Sequence, residues 1–130
     1  MKEASLELLA PREDVWAFLA EPYHLADWWP GITGVEPDRR GFAPGARWKV
    51  HATKSNFFTG RRSVETTLLI REVDPYERWT WHLLATKLDA EIRVRSTGEG
   101  RTLVTVGASA GRPEVAVRRL YDLVQTAATM

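Results

Sequence analysis

Six tryptophans are the side chains in this 130-residue sequence best suited to build or line a binding site. Trp48, Trp79 and Trp81 lie in segments where apolar and polar residues alternate, and Trp28 and Trp29 follow one another directly. An indole combines a large apolar face with one N–H donor, and pockets for aromatic small molecules use that combination. The tryptophans therefore predict either a pocket for an apolar or aromatic molecule or a core that the indoles fill.

The three histidines are the candidates for acid–base or metal chemistry. His51 and His82 fall at the polar positions of alternating segments, where we expect solvated side chains rather than a general base. His24 and Asp27 lie three residues apart in a segment typical of a helix, but no third metal ligand accompanies them. We therefore predict no metal site, and we expect no cofactor.

Other chemistries are excluded by what the sequence lacks. The chain has no cysteine, which rules out a thiolate nucleophile, a thiolate zinc site and a disulfide framework. It contains no nucleophile elbow, no P-loop and no dinucleotide-binding glycine motif. The catalytic residues stay unknown, although Thr66, Ser96, Tyr121 and the indoles could act as polar groups in a cavity.

Charge and hydropathy exclude two classes of partner. The chain carries 18 basic and 17 acidic residues, a balance too even for the electrostatic footprint of a nucleic-acid-binding protein. No apolar run approaches the roughly 20 residues of a membrane-spanning helix, so we expect no stable membrane insertion. The N-terminus shows no secretory signal, and we expect a cytoplasmic protein. The sequence does not indicate the oligomeric state.

Hydrophobic periodicity predicts a single domain over residues 1–130. A strand at 3–9 is followed by a helix that Pro11 opens at its first position, and then by a short helix at 22–29. From about residue 33 the period changes to two, and a final amphipathic helix begins at Pro113. The clearest later strands are predicted at 46–53, 61–72, 78–84, 90–96 and 101–109.

One face of each clear strand is apolar and the other is charged, which indicates an antiparallel sheet covered on one face by the last helix. The covered face is the predicted ligand-binding site. Its thirteen predicted members are Trp28 from the second helix, Trp48, Val50, Val64, Thr66, Leu68, Trp79, Trp81, Leu83, Ile92 and Val94 from the strands, and Val117 and Tyr121 from the last helix.

Short motifs along nearly the whole chain resemble the START-like superfamily, also called SRPBCC, which includes the polyketide cyclase/dehydrase and lipid-transport group. The matching segments are residues 11–19 in the first helix, Leu25, Trp28 and Pro30 in the second, Gly45 before a strand, and the turn at 73–78. The resemblance implies an α+β helix-grip fold. In that fold a curved antiparallel sheet of about seven strands wraps around a long C-terminal helix, and two short helices lie between strands 1 and 2.

The resemblance leaves three functions open, because one fold hosts many activities. The first is binding of a small hydrophobic or aromatic ligand in an internal cavity between the sheet and the C-terminal helix. The second is a polyketide cyclase or dehydratase that uses the same cavity, so whether the chain is an enzyme stays undecided. The third is a protein-interaction module with a filled core.

The three functions predict different cavities and surfaces. A binder has an apolar void, a cyclase has a void that ends at a polar group of shifted pKa, and an interaction module has an exposed apolar patch. Phe57 and Phe58, in the loop at 54–60, are the first candidates for such a patch or for a portal, unless they pack over the end of the sheet. The loop at 36–45 is the other candidate gate.

Overall fold

The computed structural model describes the backbone of residues 1–56 and 60–129 and the side chains of residues 1–53, 60 and 62–125. The strands are β1 (Lys2–Leu8), β2 (Ile32–Glu36), β3 (Arg47–Asn56), β4 (Gly60–Asp74), β5 (Arg78–Leu83), β6 (Leu88–Gly98) and β7 (Arg101–Ala108). The α-helices are α1 (Arg12–Ala20), α2 (Leu25–Trp28) and α3 (Pro113–Thr129). A 3-10 turn, Pro22–His24, leads into α2.

All seven strands form one antiparallel sheet in the order β1-β7-β6-β5-β4-β3-β2. The strands β1 and β2 are consecutive in sequence but lie at opposite edges, because α1 and α2 connect them. The long strand β4 has a register shift between Ile70 and Glu72, an irregularity of the kind that bends a strand. The sheet and the C-terminal helix α3 confirm the predicted helix-grip architecture.

The period-two patterns place the predicted faces correctly. In β3 and β5 the residues Trp48, Val50, Trp79, Trp81 and Leu83 are all buried, and their chain neighbours are more exposed. The strand β7, whose phase the sequence left ambiguous, turns Thr102, Val104, Val106 and Ala108 inward. Thr102 is the buried polar member of this set, and its Oγ1 donates a 2.8 Å hydrogen bond to the Ala10 carbonyl.

Two details differ from the sequence-based expectation. The first helix begins at Arg12, and Pro11 is its extended cap residue, whose carbonyl accepts the Asp14 and Val15 N–H groups at 3.1 Å. Ser96, which the sequence offered as a polar group for a cavity, is exposed. Ser96 pairs with the inward-facing Thr102, but it lies in the exposed end of β6 at residues 95–98.

The helix α3 packs against β1 and β7 and also contacts α2. Ala116, Val117, Leu120 and Val124 form its buried stripe, at the three- and four-residue spacing of one helix face. None of the described helices is both long and apolar enough to cross a membrane.

Candidate functional site

Four buried tryptophans, which we call the indole cluster, form the centre of the core. Trp79 lies in the middle, with ring-centroid distances of 6.5 Å to Trp28, 5.9 Å to Trp48 and 6.2 Å to Trp81. Each of the four is at most 1% exposed. The covered face of the sheet and α2 thus bring together the four tryptophans that the sequence assigned to the ligand site.

The other residues predicted to line the ligand site are buried to different extents. Val50, Leu68, Leu83, Ile92, Val94 and Val117 are buried, and Val64, Thr66 and Tyr121 are partly exposed. The Thr66 hydroxyl accepts a 2.9 Å hydrogen bond from the Ala85 N–H, and the Arg118 guanidinium lies 5.3 Å from the centre of the Tyr121 ring. The Thr66 hydroxyl and the Tyr121 ring therefore each have a local structural contact.

The indole N–H groups of the cluster are not equivalent. Trp48 Nε1 donates to the Gly41 carbonyl at 2.6 Å. The Nε1 atoms of Trp28, Trp79 and Trp81 are buried and have no hydrogen-bond partner in the described part of the chain. Because buried polar groups are nearly always paired in native proteins, these three donors require an explanation.

The partner of Trp48 comes from the loop at 37–45, which Asp38 organises. The Asp38 carboxylate accepts the backbone N–H groups of Arg40, Gly41 and Arg47 at 3.0, 3.2 and 2.9 Å. These bonds, first among them the one from Arg47, lower the pKa of Asp38. At the end of the loop Gly45, with a φ of +85°, donates its N–H to the Ile70 carbonyl at 2.8 Å. The loop is therefore tied to the sheet at several points.

An open cleft of about 1020 Å³ lies at one end of the sheet, and we call it the end cleft. Its walls come from the α2–β2 connection, β3, the β5–β6 hairpin, the β7–α3 connection and the first turns of α3. The larger apolar lining residues are Trp29, Ile32, Leu83, Leu88 and Val115. The polar side chains are Thr33, Thr53, Thr86, Arg112 and Arg119.

Trp29 joins the end cleft to the indole cluster. Its ring lines the cleft and lies 4.7 Å from the Trp81 ring and 5.6 Å from the Trp28 ring, both in edge-to-face geometry. Trp29 thus lies between the cleft and the rings of Trp28 and Trp81, and Trp79 packs on those two rings. Trp29 itself is 7% exposed, and its exposure marks where the core meets the cleft.

Of the thirteen residues predicted to line the ligand site, only Leu83 lines the end cleft. The sequence did not single out Ile32, Leu88 or Val115. Leu88 continues the inward phase of Ala90 and Ile92, which was a usable signal. Val115 gave no such signal, because it lies beside the buried stripe of α3. Its side chain lines the cleft only because of how α3 packs against the rest of the protein.

A second groove, of about 530 Å³, is lined largely by charged residues of the sheet's other face and of α1. Arg78 contacts both Glu72 and Glu91, and Arg93 pairs with Glu3 and Glu91. The hydrogen bond to Glu91 is the main cause that raises the pKa of Arg78. Of the charged side chains that line this groove, Arg78 and Arg93 are therefore already engaged in ion pairs.

Two of the three histidines, His24 and His82, have structural partners. His82, expected to be solvated, has a side chain only 17% exposed, with its Nδ1 2.8 Å from Asp89 Oδ1, because Asp89 lies opposite it on β6. His24 stacks on Phe18 at 4.0 Å, and its Nδ1 lies 2.9 Å from the Phe18 carbonyl oxygen. Within the described residues no three His, Asp or Glu side chains are grouped as metal ligands are.

The described surface exposes a few large apolar side chains, including Leu9, Tyr23, Tyr76 and Leu84. Single exposed residues of this kind are ordinary on a protein surface. Phe57 and Phe58, the predicted candidates for a patch or portal, lie outside the described residues.

Solved structures share this fold across nearly the whole chain. The protein NE0264 of Nitrosomonas europaea has a TM-score of 0.69 at 20% identity, and the alignment covers 98% of this chain and 97% of that one. Norcoclaurine synthase of Thalictrum flavum, solved as a point mutant with a transition-state analogue, has a TM-score of 0.69 at 17% identity, with coverage of 98% and 94%.

A third likeness is to StfQ, a di-domain ARO/CYC protein of the steffimycin biosynthetic pathway. Its TM-score is 0.67 at 17% identity, and the alignment covers 98% of this chain and 45% of StfQ. No curated protein matches the sequence. The family described as polyketide cyclase / dehydrase and lipid transport matches residues 3–129, in agreement with the START-like resemblance of the helix and turn motifs. The chain therefore belongs to the polyketide cyclase / dehydrase and lipid transport family.

Proposed function

We propose that the protein binds a small apolar or aromatic molecule, which enters through the end cleft and lies between the sheet and α3. The observation that carries this proposal is the cleft itself, whose volume of about 1020 Å³ is at the upper end of the range for small-molecule sites. Family membership and the helix-grip fold support it.

The chemistry of the cleft walls suits such a guest. Trp29, Leu83 and Val115 offer apolar surface from three different elements, so a flat molecule would be covered from several sides. The threonine hydroxyls can orient a polar substituent, and Arg112 and Arg119 are the cationic lining residues. Apolar side chains and placed polar groups thus line the cleft together, as they do in ligand pockets.

Filling the cleft should weaken binding. We expect Val115→Trp to weaken the affinity for a neutral polarity-sensitive dye, 1-aminoanthracene, by about tenfold or more, which corresponds to about 1.4 kcal/mol. The reason is that Val115 is partly buried on a rigid helix and its side chain lines the cleft. Fluorescence titration of the folded variant measures this affinity.

The control is Leu123→Trp, which adds an indole to a partly buried position on the same helix, away from the cleft wall. We expect this variant to bind the dye as the wild type does. Equal weakening by both variants, or an unchanged affinity of the Val115 variant, would show that the dye does not occupy the end cleft and would overturn the proposal.

A second candidate is cyclase or dehydratase activity in the same space. The family description and the likeness to the ARO/CYC protein StfQ favour it. The described lining residues of the end cleft include no histidine and no carboxylate, so we infer that such an enzyme would act mainly by folding a reactive chain into shape.

This candidate predicts turnover of a linear poly-β-ketone thioester. An enolisable carbon would attack a ketone of the same chain, and loss of one water would complete the new ring. Mass spectrometry should then detect a product lighter by one water, formed faster with the wild type than with buffer or with the Val115→Trp variant. Equal rates in all three samples would remove this candidate and leave the binding proposal intact.

A further inference from the structure

The three unpartnered indole N–H groups are the strongest anomaly in the described structure. They make up three of the five buried side-chain nitrogen or oxygen atoms without a partner in that part of the chain. Trp28 and Trp79 are 0% exposed and Trp81 is 1% exposed, so bulk water does not solvate these donors. A buried donor without an acceptor is unfavourable. A molecule that supplies an acceptor there therefore gains binding free energy from the new hydrogen bond.

The three donors lie within one aromatic cluster next to an entrance. Trp79 is in ring contact with both Trp28 and Trp81, and Trp29 packs on Trp28 and Trp81 while it lines the end cleft. A side chain at the margin of a core can change rotamer with less repacking than one inside it. Trp29 is therefore placed to separate the cleft from the donors or to uncover them.

We propose that the ligand is an aromatic ketone or quinone whose carbonyl oxygen accepts hydrogen bonds from the unpartnered N–H groups among Trp28, Trp79 and Trp81 after Trp29 moves aside. An indole nitrogen can only donate, so the ligand must bring the acceptor. The printed contacts of these indoles are with other aromatic rings, and a carboxylate loses far more hydration among such rings than a neutral carbonyl does, so a neutral carbonyl fits better. This inference rests on the proposed function and specifies its ligand class.

One competing account is that the indoles satisfy each other. Trp28 meets Trp79 at 66° and Trp29 meets Trp81 at 72°, angles at which an N–H can point toward a neighbouring ring face. Contacts of that kind are weaker than hydrogen bonds to oxygen. In that case a carbonyl on the ligand brings no advantage, and the experiment below separates the two accounts.

The test compares 9-fluorenone with fluorene, which share a three-ring skeleton and differ by the carbonyl. We expect the wild type to bind fluorenone about tenfold or more tightly than fluorene, the gain typical of one well-formed hydrogen bond in a dry site. In indole ¹H–¹⁵N spectra, fluorenone should shift the Trp28, Trp79 or Trp81 resonances more than fluorene does. The Trp48 resonance should respond to both compounds alike, because its N–H already donates to Gly41.

Two phenylalanine variants provide the matched pair. Trp81→Phe removes the unpartnered donor whose ring lies 4.7 Å from Trp29, nearer than the Trp28 ring, and it should reduce the ratio of the fluorenone affinity to the fluorene affinity. Trp48→Phe removes an equally buried indole whose N–H is already paired, and it should keep the preference. If either variant does not fold, the wild-type affinities and indole shifts still decide the question.

The outcomes separate this inference from the proposed function. Equal affinities for the two compounds in the wild type, with no selective indole shift, would overturn the carbonyl inference and leave ligand binding standing. Binding of neither compound, together with no dye binding, would overturn the proposed function itself. A preference for fluorenone that Trp81→Phe retains and Trp48→Phe loses would also overturn the assignment to the unpartnered donors.

Discussion

Replacing Trp79 with alanine should destabilise the protein by about 3–5 kcal/mol, the cost typical of deleting a large buried aromatic side chain. Trp79 is 0% exposed and contacts Trp28, Trp48, Trp81 and Phe42, so its removal leaves a cavity lined by rings that cannot all close inward. A small domain is stable by only about 5–15 kcal/mol in total. Urea unfolding followed by far-ultraviolet circular dichroism measures the loss.

The matched control is Tyr23→Ala, because Tyr23 is also aromatic but is 62% exposed. We expect its free energy of unfolding to stay within about 0.5 kcal/mol of the wild type. If Trp79→Ala lost less than about 1 kcal/mol, the packing around Trp79 would have to be looser than its ring contacts imply, and its assignment to the central core would be wrong.

The second large effect is expected at Leu120, the centre of the α3 contact. Leu120→Ala should cost about 2–5 kcal/mol, since Leu120 is 0% exposed and lies between Val117 and Val124 on the buried stripe of the helix. The helix α3 packs against β1 and β7 and also contacts α2. Weaker packing of α3 would therefore weaken its contacts with all three elements. Thermal or urea unfolding of the variant measures this cost.

Arg118→Ala is the control for Leu120. Arg118 is two residues away on the exposed side of α3, where it pairs with Asp122 at 3.6 Å. Exposed helix ion pairs contribute roughly 0.3–0.5 kcal/mol, so the control should change stability by less than about 1 kcal/mol. Similar losses from the two variants would mean that α3 is not held by its buried stripe.

The inward faces of the strands were predictable because burial on a sheet follows a local rule. Alternate residues point to opposite faces, so Trp48, Trp79 and Trp81 could be assigned to one side from spacing alone. Ser96 shows the limit of that rule. Its place in the alternation assigns it to the covered face of the sheet, but no neighbouring element covers the end of its strand. The alternation of residues cannot show how far along a strand the covering elements extend.

The partners of individual side chains were not predictable by the same reasoning. The sequence around Trp48 does not predict the Gly41 carbonyl as its hydrogen-bond acceptor, because that contact depends on the conformation of a loop that Asp38 stabilises. His82 was expected in water, yet Asp89 on the neighbouring strand pairs with it. Hydrogen bonds between distant residues depend on register and loop geometry, which local patterns do not encode.

The sequence by itself determined the order of elements, the covered face of the sheet and the aromatic character of the core, because these follow from periodicity, proline and glycine positions and residue type. Only the tertiary structure decided that the open space lies at one end of the sheet, walled by α2, the β5–β6 hairpin and the start of α3. It also decided that Trp48 has a hydrogen-bond acceptor and that Trp28, Trp79 and Trp81 do not. The reason is that both features arise where segments far apart in the chain meet, and their meeting is set by how the whole core packs.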